Sequence, residues 1–241
     1  MPSVEPNVTK TQIERSESGG AADWVANGVS RMILEGAIGP GDRLKLVELA
    51  DQFKVGLMPV REALWKLEGM GLVTNIPNRG AVVRGIDENY IVNVYEIRGA
   101  IQASLIERAI ASATAADIVR IEHAGLDVER AIATKDPKAV LAADSAFHRT
   151  IDGVARNEVA ATFLDNSLRL IQSMRLRLGF DAVRLSEIVR EHAEIVAAIK
   201  EGDGRLGAQR MRTHTNGARQ SMLEAWKVAQ QSPKATPSAR G

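Results

Sequence analysis

The chain contains no cysteine, so disulfides and thiolate metal sites are both excluded. No apolar run approaches the ~18 residues needed to cross a bilayer. The first twenty residues are polar and lack the apolar core of a secretory signal. These absences predict a cytoplasmic protein with no membrane partner. An excess of one charge is also missing: 31 Lys and Arg face 30 Asp and Glu, for a net charge of +1. Global charge therefore does not announce a nucleic-acid partner. No internal repeat is present. What is there is a chain of 241 residues, 45% hydrophobic and 25% charged, ordinary for a globular protein and long enough for two modest domains.

Periodicity divides the chain into four parts. Residues 1–20 carry no hydrophobic period and read as a disordered tail. From about Ala21, Trp24, Val25, Val29, Met32 and Ile33 recur at helical spacing. A second short helix carries Leu46, Leu49, Ala50 and Phe53, and a tight turn at Lys54-Val55-Gly56 leads into a third helix over about 57–70. Pro59 lies in its first turn, where a missing N–H is harmless. Two strand-like pieces follow, 73–76 and 81–84, joined by the turn formers Pro77-Asn78-Arg79-Gly80. Three short helices and a hairpin describe a winged helix-turn-helix over 21–86. Beyond Asp87 the strand signals vanish. Breaks near Ala113, Asp136, Asn157, Gly179 and Gly202 predict six helices, an all-α bundle over 87–228, with a polar tail over 229–241. The fold class is thus mainly α: an N-terminal winged helix-turn-helix and a C-terminal six-helix bundle.

In such a module the third helix lies in the major groove of duplex DNA and the wing touches backbone or minor groove. The outward side chains of the third helix include Leu57, Met58, Arg61, Trp65 and Lys66. Arg61 is the best candidate for a base contact, since its planar fork matches the edge of guanine. Arg79 at the hairpin tip is placed to reach the sugar-phosphate backbone or the minor groove, and Arg43 and Lys45 beside the second helix to hold phosphates.

The C-terminal bundle carries a second kind of chemistry. Asp144 and His148 lie one turn apart on one helix face with Leu141 and Ile151. His192 lies among Ile188, Val189, Ile195 and Ile199, and His214 shares a stripe with Met211 and Ala218. The remaining histidine, His123, shares a polar face with Asp127 and Arg130. Inward polar groups are costly without partners. One carboxylate and three imidazoles on three inward stripes suit a divalent first-row ion, zinc first, with nickel, manganese or iron as alternatives.

The runs Leu46-Val47-Glu48-Leu49-Ala50, Pro59-Val60-Arg61-Glu62-Ala63-Leu64, Gly71-Leu72-Val73 and Asn78-Arg79-Gly80 resemble the GntR family of bacterial transcription regulators over residues 23–86. One departure stands out: Gly56-Leu57-Met58 replaces the Ser-Arg-Thr-like run usual in that family. Readout is therefore expected to shift, with apolar contacts to thymine methyls. The C-terminal half resembles the FCD effector domain of the FadR-like subfamily, whose metal-binding members use an Asp, a His four residues later and two further histidines. That pattern falls on Asp144, His148, His192 and His214. The resemblance implies a small organic acid as effector, often a carboxylate, and a ligand-responsive regulator, most often a repressor. Arg98 and Arg175, both on apolar stripes, are candidates for the acid's far end, and Asn166 for a further polar contact. Two recognition helices reading a palindromic operator imply a homodimer.

Two other functions compete. The ion can be purely structural, or it can activate water as in a metal-dependent hydrolase. The sequence has no nucleophile motif and no phosphate-cradling glycine loop. Glu191 and Glu194 read as facing away from His192, so no catalytic residue is assigned and no enzyme is expected.

Overall fold

The computed structural model describes residues 20–34, 37–39, 41–77, 79–84 and 87–231. The tail predicted over residues 1–20, apart from Gly20, and the end of the chain beyond Gln231 lie outside the described residues. The chain divides between Ile86 and Asp87 into two compact units.

The first unit runs α1 (Ala21–Leu34), β1 (Arg43–Leu44), α2 (Leu46–Phe53), α3 (Leu57–Gly69), β2 (Val73–Ile76) and β3 (Gly80–Val83). Its core forms where the inward stripe of α1 (Val25, Val29) meets that of α3 (Val60, Leu64, Leu67), all at most 2% exposed. Trp24 stands edge-on to Phe53, ring centroids 5.3 Å apart, which locks α1 to α2. Lys54 takes a left-handed conformation (φ 53) and closes α2. The sheet has order β1-β3-β2 and is antiparallel throughout. Two details differ from the sequence reading. Strand β3 begins at Gly80 rather than Ala81, and it pairs with β1, a strand the hydrophobic pattern did not show. Two residues are too few to display alternation, so β1 exists only through its partner. Gly80 is required at that crossing: its φ is +99, and a Cβ there would lie 1.9 Å from the Leu44 carbonyl oxygen.

The second unit is helical throughout its described residues: α4 (Glu88–Ser112), α5 (Ala115–Ala133), α6 (Pro137–Val154), α7 (Glu158–Leu178), α8 (Ala182–Glu201) and α9 (Gly204–Gln231). Each predicted break carries its own physical device. Asp87, Asp136, Asn157 and Asp181 accept a hydrogen bond from the first turn of the helix that follows. Thr114 and Asp117 form a reciprocal capping box on α5, and Gly202 closes α8 in the left-handed region. The last helix continues to Gln231, past the expected boundary at 228, because Ala229, Gln230 and Gln231 are adequate helix formers and nothing breaks them. Helix α4 packs along α9, and α5 packs against α6 and α8. Phe147, Ile151, Ile195 and Met211 are fully buried at the centre, so the stripes carrying the polar cluster are the stripes that build the core.

Candidate functional site

Helix α6 supplies Asp144 and His148, α8 supplies His192, and α9 supplies His214. One ligand atom from each lies within 4.8 Å of every other. His148 Nε2 is 3.1 Å from His214 Nε2. Asp144 Oδ1 is 3.4 Å from His192 Nε2 and 3.9 Å from His148 Nε2. With metal–ligand bonds of ~2.0–2.2 Å, ligands stand ~3.4 Å apart on a tetrahedron and ~3.0 Å apart for neighbours on an octahedron. The 3.1 and 3.4 Å spacings fall in that range, and the 3.9 Å one is longer, so the ligands would draw together slightly around an ion. The three imidazoles are at most 5% exposed, and His192 is stacked on Phe147, ring centroids 4.1 Å apart.

Protonation favours ligation. Burial pushes the imidazoles down, His192 to about 4 and His148 and His214 well below the usual histidine value. Their nitrogens therefore keep free lone pairs at neutral pH. Burial alone would raise Asp144. His148 and His192 when protonated, and then the standing charges of Arg98 and Arg184, outweigh it, and the carboxyl stays below its ordinary value. His192 has no hydrogen-bond partner on either ring nitrogen, and neither does His148 Nδ1. A buried, unsatisfied Nε2 aimed at a carboxylate and two other imidazoles is what a cation would satisfy. The donor set fits a borderline ion such as zinc, nickel or iron.

Two further residues belong to the cluster without having been assigned to it from the sequence. Glu191 does not face away from the cluster. It is buried, and its Oε2 lies 2.8 Å from His214 Nδ1. The expectation that it faces away from His192 did not show its place in the cluster, because its partner across the interface is His214 of α9. Arg184, 2% exposed, donates to both Glu191 oxygens at 3.0 and 2.8 Å and to the His214 carbonyl at 3.2 Å. A signal existed: Arg184 shares the helical stripe of Ile188, Glu191 and Ile195. Glu194 lies nearer the surface and pairs with Arg210 at 3.1 Å.

A cavity opens beside the cluster. Asp144, His148 and His214 line it together with Arg98, Arg175 and Arg184. Arg98 is buried and its Nε donates to Gln102 at 2.8 Å. Arg175 is buried over the Phe180 ring and donates to the carbonyls of Gly179 and Ala218 and to Ser221. Among the described residues neither arginine has a carboxylate within ion-pair distance, although the charge of Arg98 is felt by Asp144 and Asp152 in the same cavity. Asn166 does not line it. The inward stripe of α7 is Leu164, Leu168, Ile171 and Arg175, and Asn166 lies about 200° round from Leu164 and is exposed. Its expected contact is corrected on that ground.

In the first unit the outer face of α3 presents Leu57, Met58 and Trp65, exposed by 45, 58 and 61%. Arg61 lies exposed between them, and Arg43 and Arg79 are exposed beside β1 and β3. Among the described residues no ion pair holds any of these three arginines. Lys45 and Lys66 are exposed too, but they are paired with Glu48 at 2.5 Å and Asp23 at 2.7 Å.

Known proteins share both units. Residues 21–83 match the family described as bacterial regulatory proteins, gntR family, and residues 93–217 match the FCD domain. The HTH-type transcriptional repressor RspR of Escherichia coli (strain K12) is 28% identical over 195 residues, 80% of this chain and 85% of that protein. The HTH-type transcriptional regulator LutR of Bacillus subtilis (strain 168) is 28% identical over 204 residues, 76% of this chain and 92% of that protein. In fold, the chain is similar to Escherichia coli McbR/YncC, with a TM-score of 0.63 at 18% identity over 88% of this chain and 99% of that one. No helix among the described residues is long and apolar enough to cross a membrane. The chain belongs to the gntR family of bacterial regulatory proteins and carries an FCD domain: it is a sequence-specific DNA-binding transcription regulator, not an enzyme.

Proposed function

We propose that this regulator is a repressor that senses a small organic acid at a divalent metal centre, with domains over 21–86 and 87–228. The observation that carries the reading is the convergence of Asp144, His148, His192 and His214 beside a cavity bordered by the buried arginines Arg98 and Arg175. Zinc is the first candidate ion, with nickel, manganese or iron as alternatives. When bound, the ion supplies a fixed positive charge with coordination positions left for a carboxylate. The chain does the rest. Arg98 and Arg175 hold the acid's other oxygens, since a buried guanidinium gains most from a bidentate anion. Phe147 keeps the His192 ring in place, and the apolar wall of Leu164, Leu168 and Ile171 keeps water out.

On the DNA side, α3 enters the major groove of a palindromic operator, with Arg61 reading a base and Leu57, Met58 and Trp65 touching apolar base edges. Arg43 and Arg79 hold backbone, and Lys45 and Lys66 assist once their acids release them. The working unit is a homodimer in the cytoplasm, as a palindrome requires two reading heads. The repressor RspR supports the sign of the response. The acid shifts operator affinity only if it binds the DNA-competent and incompetent arrangements unequally.

The test is operator affinity, on a duplex selected from a random library, measured with metal, with chelator and across a panel of small carboxylates. Affinity that moves with both supports the sensor. Affinity indifferent to both, with metal still stabilising the fold, leaves a structural ion.

A further inference from the structure

We infer that Glu191, clamped by Arg184, is the positioning residue of the metal centre, presetting His214 as a ligand before any ion arrives; this rests on the metal reading above. The three imidazoles are not equivalent. His148 and His192 leave Nδ1 without a partner. His214 alone has its Nδ1 held, 2.8 Å from Glu191 Oε2. Arg184 Nη2, a donor, also lies 3.4 Å from that nitrogen, but the carboxylate is much the nearer at 2.8 Å and can only accept, so His214 Nδ1 carries the proton and donates it to Glu191. Its Nε2 is then a bare lone pair, turned toward His148 Nε2 at 3.1 Å. In metal sites the hydrogen bond on the far nitrogen fixes both tautomer and ring orientation.

Arg184 makes this arrangement affordable. Glu191 is 6% exposed and His214 1% exposed, so a lone carboxylate there would be expensive. The guanidinium meets it with two parallel hydrogen bonds, at 3.0 and 2.8 Å, and ties the same fork to the His214 carbonyl at 3.2 Å. Backbone and ring of His214 are thereby held by one pair of side chains from α8. The fork also needs room on α9: a Cβ at Gly217 would stand 2.4 Å from Arg184 Nη1 and 3.2 Å from Glu191 Oε1.

The experiment uses the full-length protein, freed of metal and titrated with Co²⁺ against a competing chelator. Wild type, Glu191→Gln and Glu191→Asp are compared by affinity and by the visible absorption of bound Co²⁺. Glu191→Gln should bind ~10–100-fold more weakly with an altered visible band, and Glu191→Asp should recover part of the loss. Wild-type affinity and an unchanged band in Glu191→Gln overturn the proposal. Wild-type protein that takes up no Co²⁺ sinks the metal reading itself. Should the variants not fold, the metal-free wild type decides. Labelled with ¹⁵N on its four histidines, it should show His214 protonated on Nδ1, and a proton on Nε2 refutes the assignment.

Discussion

Replacing Gly217 by alanine sets two opposing effects against each other, and the structure says which wins. Glycine inside a helix costs ~1 kcal/mol relative to alanine, so the bare expectation for mid-helix α9 is stabilisation. The new Cβ, however, would lie 2.4 Å from Arg184 Nη1 and 3.2 Å from Arg184 Cζ. Arg184 cannot swing aside freely, because its fork is bound to Glu191 and it is 2% exposed. Displacing that bonded fork costs about 1–3 kcal/mol on the scale of core overpacking, so the net effect is a loss of about 0–2 kcal/mol. Gly125 on α5 is the control: a Cβ there would meet Phe147 and Val196 at 3.6–3.8 Å, ordinary contact distances. Gly125→Ala should therefore gain the ~1 kcal/mol in full. The two variants should differ by ~2 kcal/mol, or about 4–8 °C in melting temperature for a unit of this size. Thermal unfolding of metal-free protein measures the difference. Gly217→Ala should also bind metal more weakly, as Glu191 is displaced from His214. A Gly217→Ala protein as stable as Gly125→Ala, with metal affinity intact, would refute the clamp.

Other substitutions have equally definite outcomes. Arg61→Ala should weaken binding to a selected operator by about 5–150-fold (1–3 kcal/mol) without moving the melting temperature, and unchanged affinity in a gel-shift titration removes Arg61 from the reading surface. Replacing thymine by uracil in that operator deletes only the 5-methyl group. Wild type should lose affinity at the thymines that Leu57 or Met58 touch and Met58→Ala should lose less, whereas equal binding to both duplexes denies apolar readout. Asp152, buried in the cavity wall, has its carboxyl pushed up to about 7, first by burial and then by Asp165, against the opposing pull of Arg98 and Gln102. The folded state thus holds this proton more tightly than the unfolded chain. Its contribution to stability is present below the unfolded value of 3.8 and is lost as pH rises to about 7. Asp152→Asn should gain on wild type by up to ~4 kcal/mol between pH 4 and pH 8, and parallel denaturation midpoints across that range would contradict it.

Much of this architecture was legible in the sequence, and the exceptions share a cause. The histidine cluster was visible because His148, His192 and His214 each interrupt an apolar stripe, and a stripe's inward direction does not depend on knowing its neighbour. The helix breaks were visible because caps such as Asp136 before Pro137 act locally. Glu191 was misread because its role depends on which helix lies across the interface, and periodicity within α8 does not carry that. Asn166 was misplaced for the opposite reason, since its own helix face excluded it once the stripe of Leu164, Leu168 and Ile171 was followed strictly. Strand β1 escaped because two residues have no period, and its pairing with Ala81 and Val82 is a contact across nearly forty residues of chain. The last helix was cut short because its polar end has no apolar stripe, although nothing in 229–231 opposes a helix.

The most direct test is metal uptake followed by X-ray absorption at the zinc edge. Protein dialysed against zinc should retain one ion per chain, with nitrogen and oxygen ligands at ~2.0–2.2 Å and scattering from three imidazoles. His192→Ala should lose one of the three. A chain that retains no ion, or an ion whose surroundings contain no imidazole, would contradict a centre built on Asp144, His148, His192 and His214.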